Sequence, residues 1–328
     1  MEDIKREKYI SCKWLESGVC FDTGVYGSNV KLCCYMSAPG GGNSMIFEDY
    51  HGSKIDWNEF FRIKNEYRNI QKSGETIPGC VGCVFLEEKY WPQENYIDNI
   101  VFDHFTKCNC ACTYCYTESD KKGYNKLKTY NIYPIIKEMF DKKIIRIGGA
   151  IGFGGGEPTI LPEFDKLINL FLKNGFWNIR VPSSGIKYSK TIEKGLSTGQ
   201  LTVVISIDSS SREMYKKIKQ VDAFNVVCKN LKRYSKAKKY LDNVVSKYII
   251  IPETNDSKEE IDNWLKFNKE NNIEAIVIDI ENSWLERYRE DKPDERIIEL
   301  LKYVIQKSKE MRFHNIDICD RARYLVRD

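Results

Sequence analysis

The sequence predicts an α/β protein, a partial (β/α)6 barrel with a small cysteine-rich domain in front of it. Three observations predict it. From about residue 97 onward, six short apolar runs rich in Ile, Val or aromatics alternate with amphipathic stretches, the pattern of repeated βα units and a parallel sheet. Residues 1–95 are turn-rich and hold few apolar residues for their length. The twelve cysteines are crowded, six of them before residue 84 and four between residues 108 and 115.

In chain order, the first segment contains the turn-rich stretches "GVYGSNV" and "SAPGGGNS" and one helix in "DWNEFFRIKNEYRNIQKSG", with cysteines at both ends. A small domain of that kind needs a metal or a disulfide to stay folded. The strands follow as "YIDNIVFDHF", "KKIIRIGGAIGFG", "FWNIRVPSSG", "LTVVISIDSS", "NVVSKYIIIP" and "IEAIVIDI". Between them lie helical patterns, "YPIIKEMFDKK", "LPEFDKLINLFLKNG", "FNVVCKNLKRYSKAKKYL" and "KEEIDNWLKFNKENN", several opened by Pro or Ser and closed by Gly or Asn. The expected division is a cysteine-rich domain over residues 1–95, the barrel over 96–290 and a helical extension over 291–328. In such a barrel the chemistry sits at the carboxyl ends of the strands.

Composition narrows the function classes. The chain of 328 residues is 42% hydrophobic and 30% charged with a net charge of +4, enough to bury a sizeable core and too balanced for a strongly basic nucleic-acid binder. Neither a signal-type apolar segment nor a membrane-length apolar run occurs, so the expectation is a soluble cytoplasmic protein with no membrane or nucleic-acid partner. In a reducing compartment so many cysteines point to metal thiolates in place of disulfides.

Cys108, Cys112 and Cys115 stand in a CxxxCxxC spacing directly after the first barrel strand. Three thiolates on a short loop can hold three irons of a [4Fe–4S] cubane and leave the fourth iron open to another ligand. A zinc site is the plain alternative. The spacing, with the aromatic Tyr114 before the last cysteine, resembles the signature of the radical S-adenosylmethionine (radical SAM) family, in which Cys110 has no ligand position. The second strand ends in "GFGGGEPT", and Gly155, Gly156, Glu157 and Pro158 match the family's GGEP element. Glycines admit close approach to the methionine end of SAM, and a carboxylate accepts hydrogen bonds from its ammonium group. The third strand ends in Ser183 and Ser184, where the family often places polar residues facing the cofactor. The fourth reads "VVISIDSSSREMYKKIK", similar to the SxD element of the SPASM-containing branch. This resemblance makes Ser206 and Asp208 candidates for the ribose or carboxylate, and Arg212 for the carboxylate, with a solvated helix-start Arg as the other reading. Ile251 is the candidate adenine contact on the same basis.

The resemblance covers residues 97–290 and implies a radical SAM barrel and a mechanism. The open iron chelates S-adenosyl-L-methionine, one electron breaks a C–S bond, and a 5′-deoxyadenosyl radical takes hydrogen from a substrate carbon. A reductant such as flavodoxin or ferredoxin is then a partner, and the substrate is a peptide, a carbohydrate or another natural product. No region resembles the winged-helix element common in peptide modifiers.

The pieces "CKWLESGVC", "VKLCCYM" and "IPGCVGC" resemble the auxiliary-cluster segments of SPASM or twitch domains, although here they precede the barrel. The expected ligands of a second [4Fe–4S] cluster are Cys20, Cys33, Cys80 and Cys83, with Cys12 or Cys34 as replacements and a zinc knuckle as the alternative. Cys228 reads as a buried apolar thiol, Cys319 is unassigned, and His104 reads as a structural histidine. The lysine clusters "KKIK" and "KRYSKAKK" read as solvated helix faces. Asp279 and Glu281, at the end of the sixth strand, are candidate substrate contacts. The competing function class is a zinc-stabilised cysteine-rich binding protein without catalysis, and a third is a family member that keeps its cluster but has lost activity.

Overall fold

The computed structural model describes residues 6–22, 29–33, 45–47, 50, 52, 54–75, 77–83, 85–115, 130–285 and 295–326. It divides into two compact units.

The first unit comprises Met1–Lys107, Gly123–Gly156 and Lys173–Asn178. Strands β1 (Arg6–Ser11) and β5 (Glu87–Pro92) form an antiparallel pair that faces mostly outward. A second sheet is ordered β7-β6-β2-β3-β4. In it β2 (Gly18–Asp22), buried along its whole length, runs parallel to β6 (Asn99–Asp103), and β6 runs parallel to β7 (Ile151–Phe153). The other edge is antiparallel, with β3 (Asn29–Lys31) and β4 (Met45–Phe47). The amino-terminal segment therefore adds a strand alongside the first strand expected of the barrel.

Helix α1 (Lys13–Ser17) is anchored on α2 (Trp57–Lys72) by a buried polar network. Glu16 accepts hydrogen bonds from Tyr9 Oη at 2.9 Å and Ser11 Oγ at 2.5 Å and pairs with Arg68 at 3.1 Å. Lys64, fully buried, donates to the Trp14 and Gly18 carbonyls. Such groups tolerate burial because each has a partner. Helix α3 (Tyr133–Asp141) completes this unit.

The second unit comprises Cys108–Lys122, Glu157–Leu172 and Ile179–Asp328. Its sheet is parallel, in the order β8 (Ile179–Ser183), β9 (Leu201–Ser206), β10 (Val244–Ile250), β11 (Ala275–Ile280) and β12 (Asn315–Ile318). Helices α4 (Phe164–Lys173), α5 (Lys190–Thr198), α6 (Arg212–Lys219), α7 (Phe224–Ala237), α8 (Lys258–Glu270) and α9 (Glu295–Glu310) alternate with these strands. Serines cap several helices by accepting from the first turn, Ser189 for α5, Ser211 for α6 and Ser257 for α8. All six expected strands are present, and the four expected βα helices lie where the apolar periodicity put them. The carboxyl-terminal segment departs from expectation: after α9 the chain forms β12, a half-buried edge strand whose mixed polarity hides it from an apolar-run reading. Among the described residues no helix is long and apolar enough to cross a membrane.

Candidate active site

The cysteine loop 108–115 lies in the second unit, pinned by its backbone. The Ala111 and Thr113 N–H groups donate to the Lys219 and Ile218 carbonyls at 3.1 and 2.9 Å, which satisfies orphan carbonyls in the last turn of α6. Cys115 N–H closes the loop on the Cys112 carbonyl. At the side-chain level Ser184 Oγ donates to Asn109 Oδ1 at 2.9 Å and ties the loop to the end of β8.

Tyr114 Oη donates to Asp208 Oδ2 at 2.5 Å, and Lys219 Nζ reaches both groups. Asp208, fully buried with φ +55°, also accepts from Ile249 N–H through Oδ1. Asn255 supports this corner: its Nδ2 donates to the Asp208 and Ile249 carbonyls, and its Oδ1 accepts from Ile251 N–H. Ile251 packs with Ile218 and Ile249, against Tyr114 and Met214. Neither Lys219 nor Asn255 stood out in the sequence. Lys219 belongs to the lysines read as a solvated face, yet its side chain is only 3% exposed. Burial is the largest single influence and pushes its ammonium down, but the charge and hydrogen bond of Asp208 together with the neighbouring Cys112 thiol turn the net shift upward.

Cys110 sits beside two of the three signature thiols, Cys108 and Cys112. Its sulfur is close enough to both for hydrogen bonding, and that contact holds Cys112 down to about 6 and lowers Cys108 as well, while burial opposes both shifts. Both shifts favour the thiolate, the form that binds iron. Cys108 is exposed and Cys112 and Cys115 are half-buried. Among the described residues no three His, Cys, Asp or Glu side chains are gathered closely enough to hold one metal ion. A cubane gives each thiolate its own iron, so its donors need not converge on a point.

Glu157 is buried, with its hydrogen bonds taken up inside the second unit. Its carboxylate is 1% exposed and accepts from Thr159 N–H and Oγ1 (3.1 and 2.6 Å), Ser183 Oγ (2.8 Å) and Ser184 N–H (2.6 Å). Its work is to hold the end of β8 in place. Gly156 is required for close approach: a Cβ there would lie 2.1 Å from the Lys107 carbonyl oxygen, and its own N–H donates to Phe105 O at 3.0 Å. Gly155 has φ +70° and an equally tight wall at Phe105. Gly156→Ala is expected to lower stability by about 1–3 kcal/mol, read as a shift in the urea midpoint, because backbone and not a flexible side chain must give way.

The remaining candidates separate. Ser206 ends β9 half-buried. Arg212 makes an exposed bidentate pair with Asp222 at 2.8 and 2.6 Å, the solvated helix-start reading. Asp279 is buried and pairs with Lys247 at 2.9 Å, whereas Glu281 is half-buried. His104 is fully buried against the rings of Phe102, Phe105 and Tyr130. Cys228 is half-buried beside Lys229, Lys232 and Arg233, so it is not the buried apolar thiol expected.

In the first unit the structure brings Cys33, Cys80 and Cys83 together, but with Cys12 in the place expected for Cys20. Cys20 lies within β2, fully buried opposite Lys31 and Val101. Burial pushes its thiol well up, and Asp103 and Asp22 add to that. Cys34 lies outside the described residues.

Residues 102–265, half of the chain, match the Radical SAM superfamily. The chain belongs to that superfamily, a class of enzymes built on a [4Fe–4S] cluster and SAM. It is 25% identical over 131 residues to the mycofactocin maturase MftC of Mycobacterium tuberculosis, covering 40% of this chain and 32% of the relative. It is 29% identical over 154 residues to the GTP 3′,8-cyclase of Clostridium botulinum, covering 44% of this chain and 45% of the relative. The chain thus spans under half the length of these curated relatives. Among solved structures, Streptococcus suis SuiB bound to its precursor peptide SuiA shares the fold, with a TM-score of 0.52 at 14% identity over 87% of this chain and 59% of SuiB.

Proposed function

We propose that this chain cleaves S-adenosyl-L-methionine reductively and abstracts hydrogen from a substrate carbon, with Cys108, Cys112 and Cys115 as the ligands of the cluster. The observation that carries the reading is the cysteine loop itself: three thiols at the family's spacing on a backbone tied to α6. When bound, the cluster and SAM supply a carbon radical able to take a hydrogen atom. The chain's own residues position that pair. Ser184 and Ser206 stand at two strand ends, and Ile251 and Tyr114 offer an apolar wall for the adenine side. Glu157 and Asp208 act one step removed, by holding β8, the cysteine loop and β10 in register.

In this reading residues 1–95 are an auxiliary iron–sulfur domain, 96–290 the barrel and 291–328 a carboxyl-terminal extension. A second cluster belongs to the first of these, and flavodoxin or ferredoxin supplies the electron. The substrate is a peptide, a carbohydrate or another natural product, a breadth in keeping with relatives that run from a maturase to a nucleotide cyclase. A zinc-stabilised binding protein without catalysis is not favoured, because the superfamily's members are enzymes. The test is incubation of dithionite-reduced, cluster-loaded protein with SAM. Release of 5′-deoxyadenosine is expected, and its absence from protein with a full iron complement would overturn the proposal.

A further inference from the structure

Four thiols from three separate stretches of chain line one cavity in the first unit: Cys12 before α1, Cys33 after β3, and Cys80 and Cys83 in the turn after α2. The turn is built for the task. Its short 3-10 segment Pro78–Cys80 is followed by Gly82 at φ +70°, and Cys83 N–H donates to the Cys80 carbonyl at 3.0 Å, the compact knuckle that presents two thiols together. Cys12 caps α1, its sulfur accepting from Leu15 N–H at 3.4 Å. The remaining walls are apolar, formed by Trp14, Leu15, Leu32 and Phe85.

We propose that Cys12, Cys33, Cys80 and Cys83 are the four ligands of a closed [4Fe–4S] centre, and that Cys20 is not a ligand. Buried thiols in apolar surroundings stay protonated and inert unless a metal takes the proton's place. With four thiolates each iron has its own sulfur ligand from the chain, so no corner is open to substrate, unlike the loop at 108–115. A single zinc ion would draw all four sulfurs to within about 2.3 Å of one point. Iron, sulfide and zinc contents of the purified chain tell the two apart. The centre would join segments far apart in sequence, so its binding free energy is folding free energy for the apolar-poor amino-terminal region.

This assignment deepens the second-cluster part of the proposed function and rests on it, yet it fails separately from SAM cleavage. The experiment uses the full chain with Cys108, Cys112 and Cys115 all replaced by Ala, prepared without oxygen, with iron, sulfide and zinc measured and spectra recorded by electron paramagnetic resonance after reduction. About four irons per chain are expected to remain. In that background Cys12→Ala is expected to lose nearly all of this iron, and Cys20→Ala to keep it. Retention in Cys12→Ala with loss in Cys20→Ala would overturn the ligand set, and zinc or no metal in the parent variant would overturn the cluster. Should Cys12→Ala fail to fold, alkylation of the parent variant mapped by mass spectrometry decides. Cys12, Cys33, Cys80 and Cys83 should react only after a chelator strips the iron, and reaction before chelation would sink the assignment.

Discussion

Cys112→Ala protein, prepared without oxygen, is expected to release no measurable 5′-deoxyadenosine from SAM and to carry about half the iron of the unaltered chain. Cys112 is pulled down by its Cys110 neighbour, and Tyr114 ties the same loop to Asp208. Removing it leaves two thiolates for a cluster that needs three. Cys110→Ala is the control. Its contact pulls the Cys108 and Cys112 thiols down without a ligand position of its own, so that variant should load its cluster more slowly at neutral pH than the unaltered chain and still release 5′-deoxyadenosine once loaded. Chromatography of the nucleoside and a colorimetric iron assay check both outcomes. A Cys112→Ala protein with full iron and normal release would remove the loop from the mechanism.

Asp208→Asn is expected to cost about 3–5 kcal/mol, read as a shift in the urea midpoint, because it leaves the Lys219 ammonium buried without its counter-charge. Asn is the informative replacement, since it tolerates the left-handed backbone at this position while removing only the charge. A double change, Asp208→Asn with Lys219→Met, should cost clearly less than the two single changes added together, the signature of a coupled pair. Additive costs would mean that the two groups matter separately. The same corner holds the cysteine loop through Tyr114, so Asp208→Asn is also expected to load less iron than the unaltered chain.

The local signals were legible. Cys108, Cys112 and Cys115 lie within eight residues, and buried parallel strands such as "TVVISI" read as apolar runs because both faces are covered. What stayed hidden depends on partners far away in sequence. Glu157 reads as an available carboxylate until Ser183 and Ser184 close on it, and Lys219 reads as solvent-facing until Asp208 and Tyr114, eleven and 105 residues away, are seen beside it. Arg212 was open to two readings, and its neighbour Asp222 supplies the plain one. The choice between Cys12 and Cys20 turns on which way one buried strand presents its side chains, and spacing carries no information about that. Strands β1 and β5 escaped notice because "REKYIS" and "EEKYWP" pair with each other while facing mostly outward.

The docking of Ala111 and Thr113 on the last turn of α6 sets the active-site loop apart from the amino-terminal thiols. Those two amide N–H hydrogen bonds give the loop its shape before any iron arrives, so loading resembles a key entering a cut lock. The four thiols of the first unit come from three distant stretches, and the backbone ties described for Cys12 and for the Cys80–Cys83 turn are local to their own stretches. Gentle iron depletion should therefore leave an empty but intact socket in one place and a loosened fold in the other.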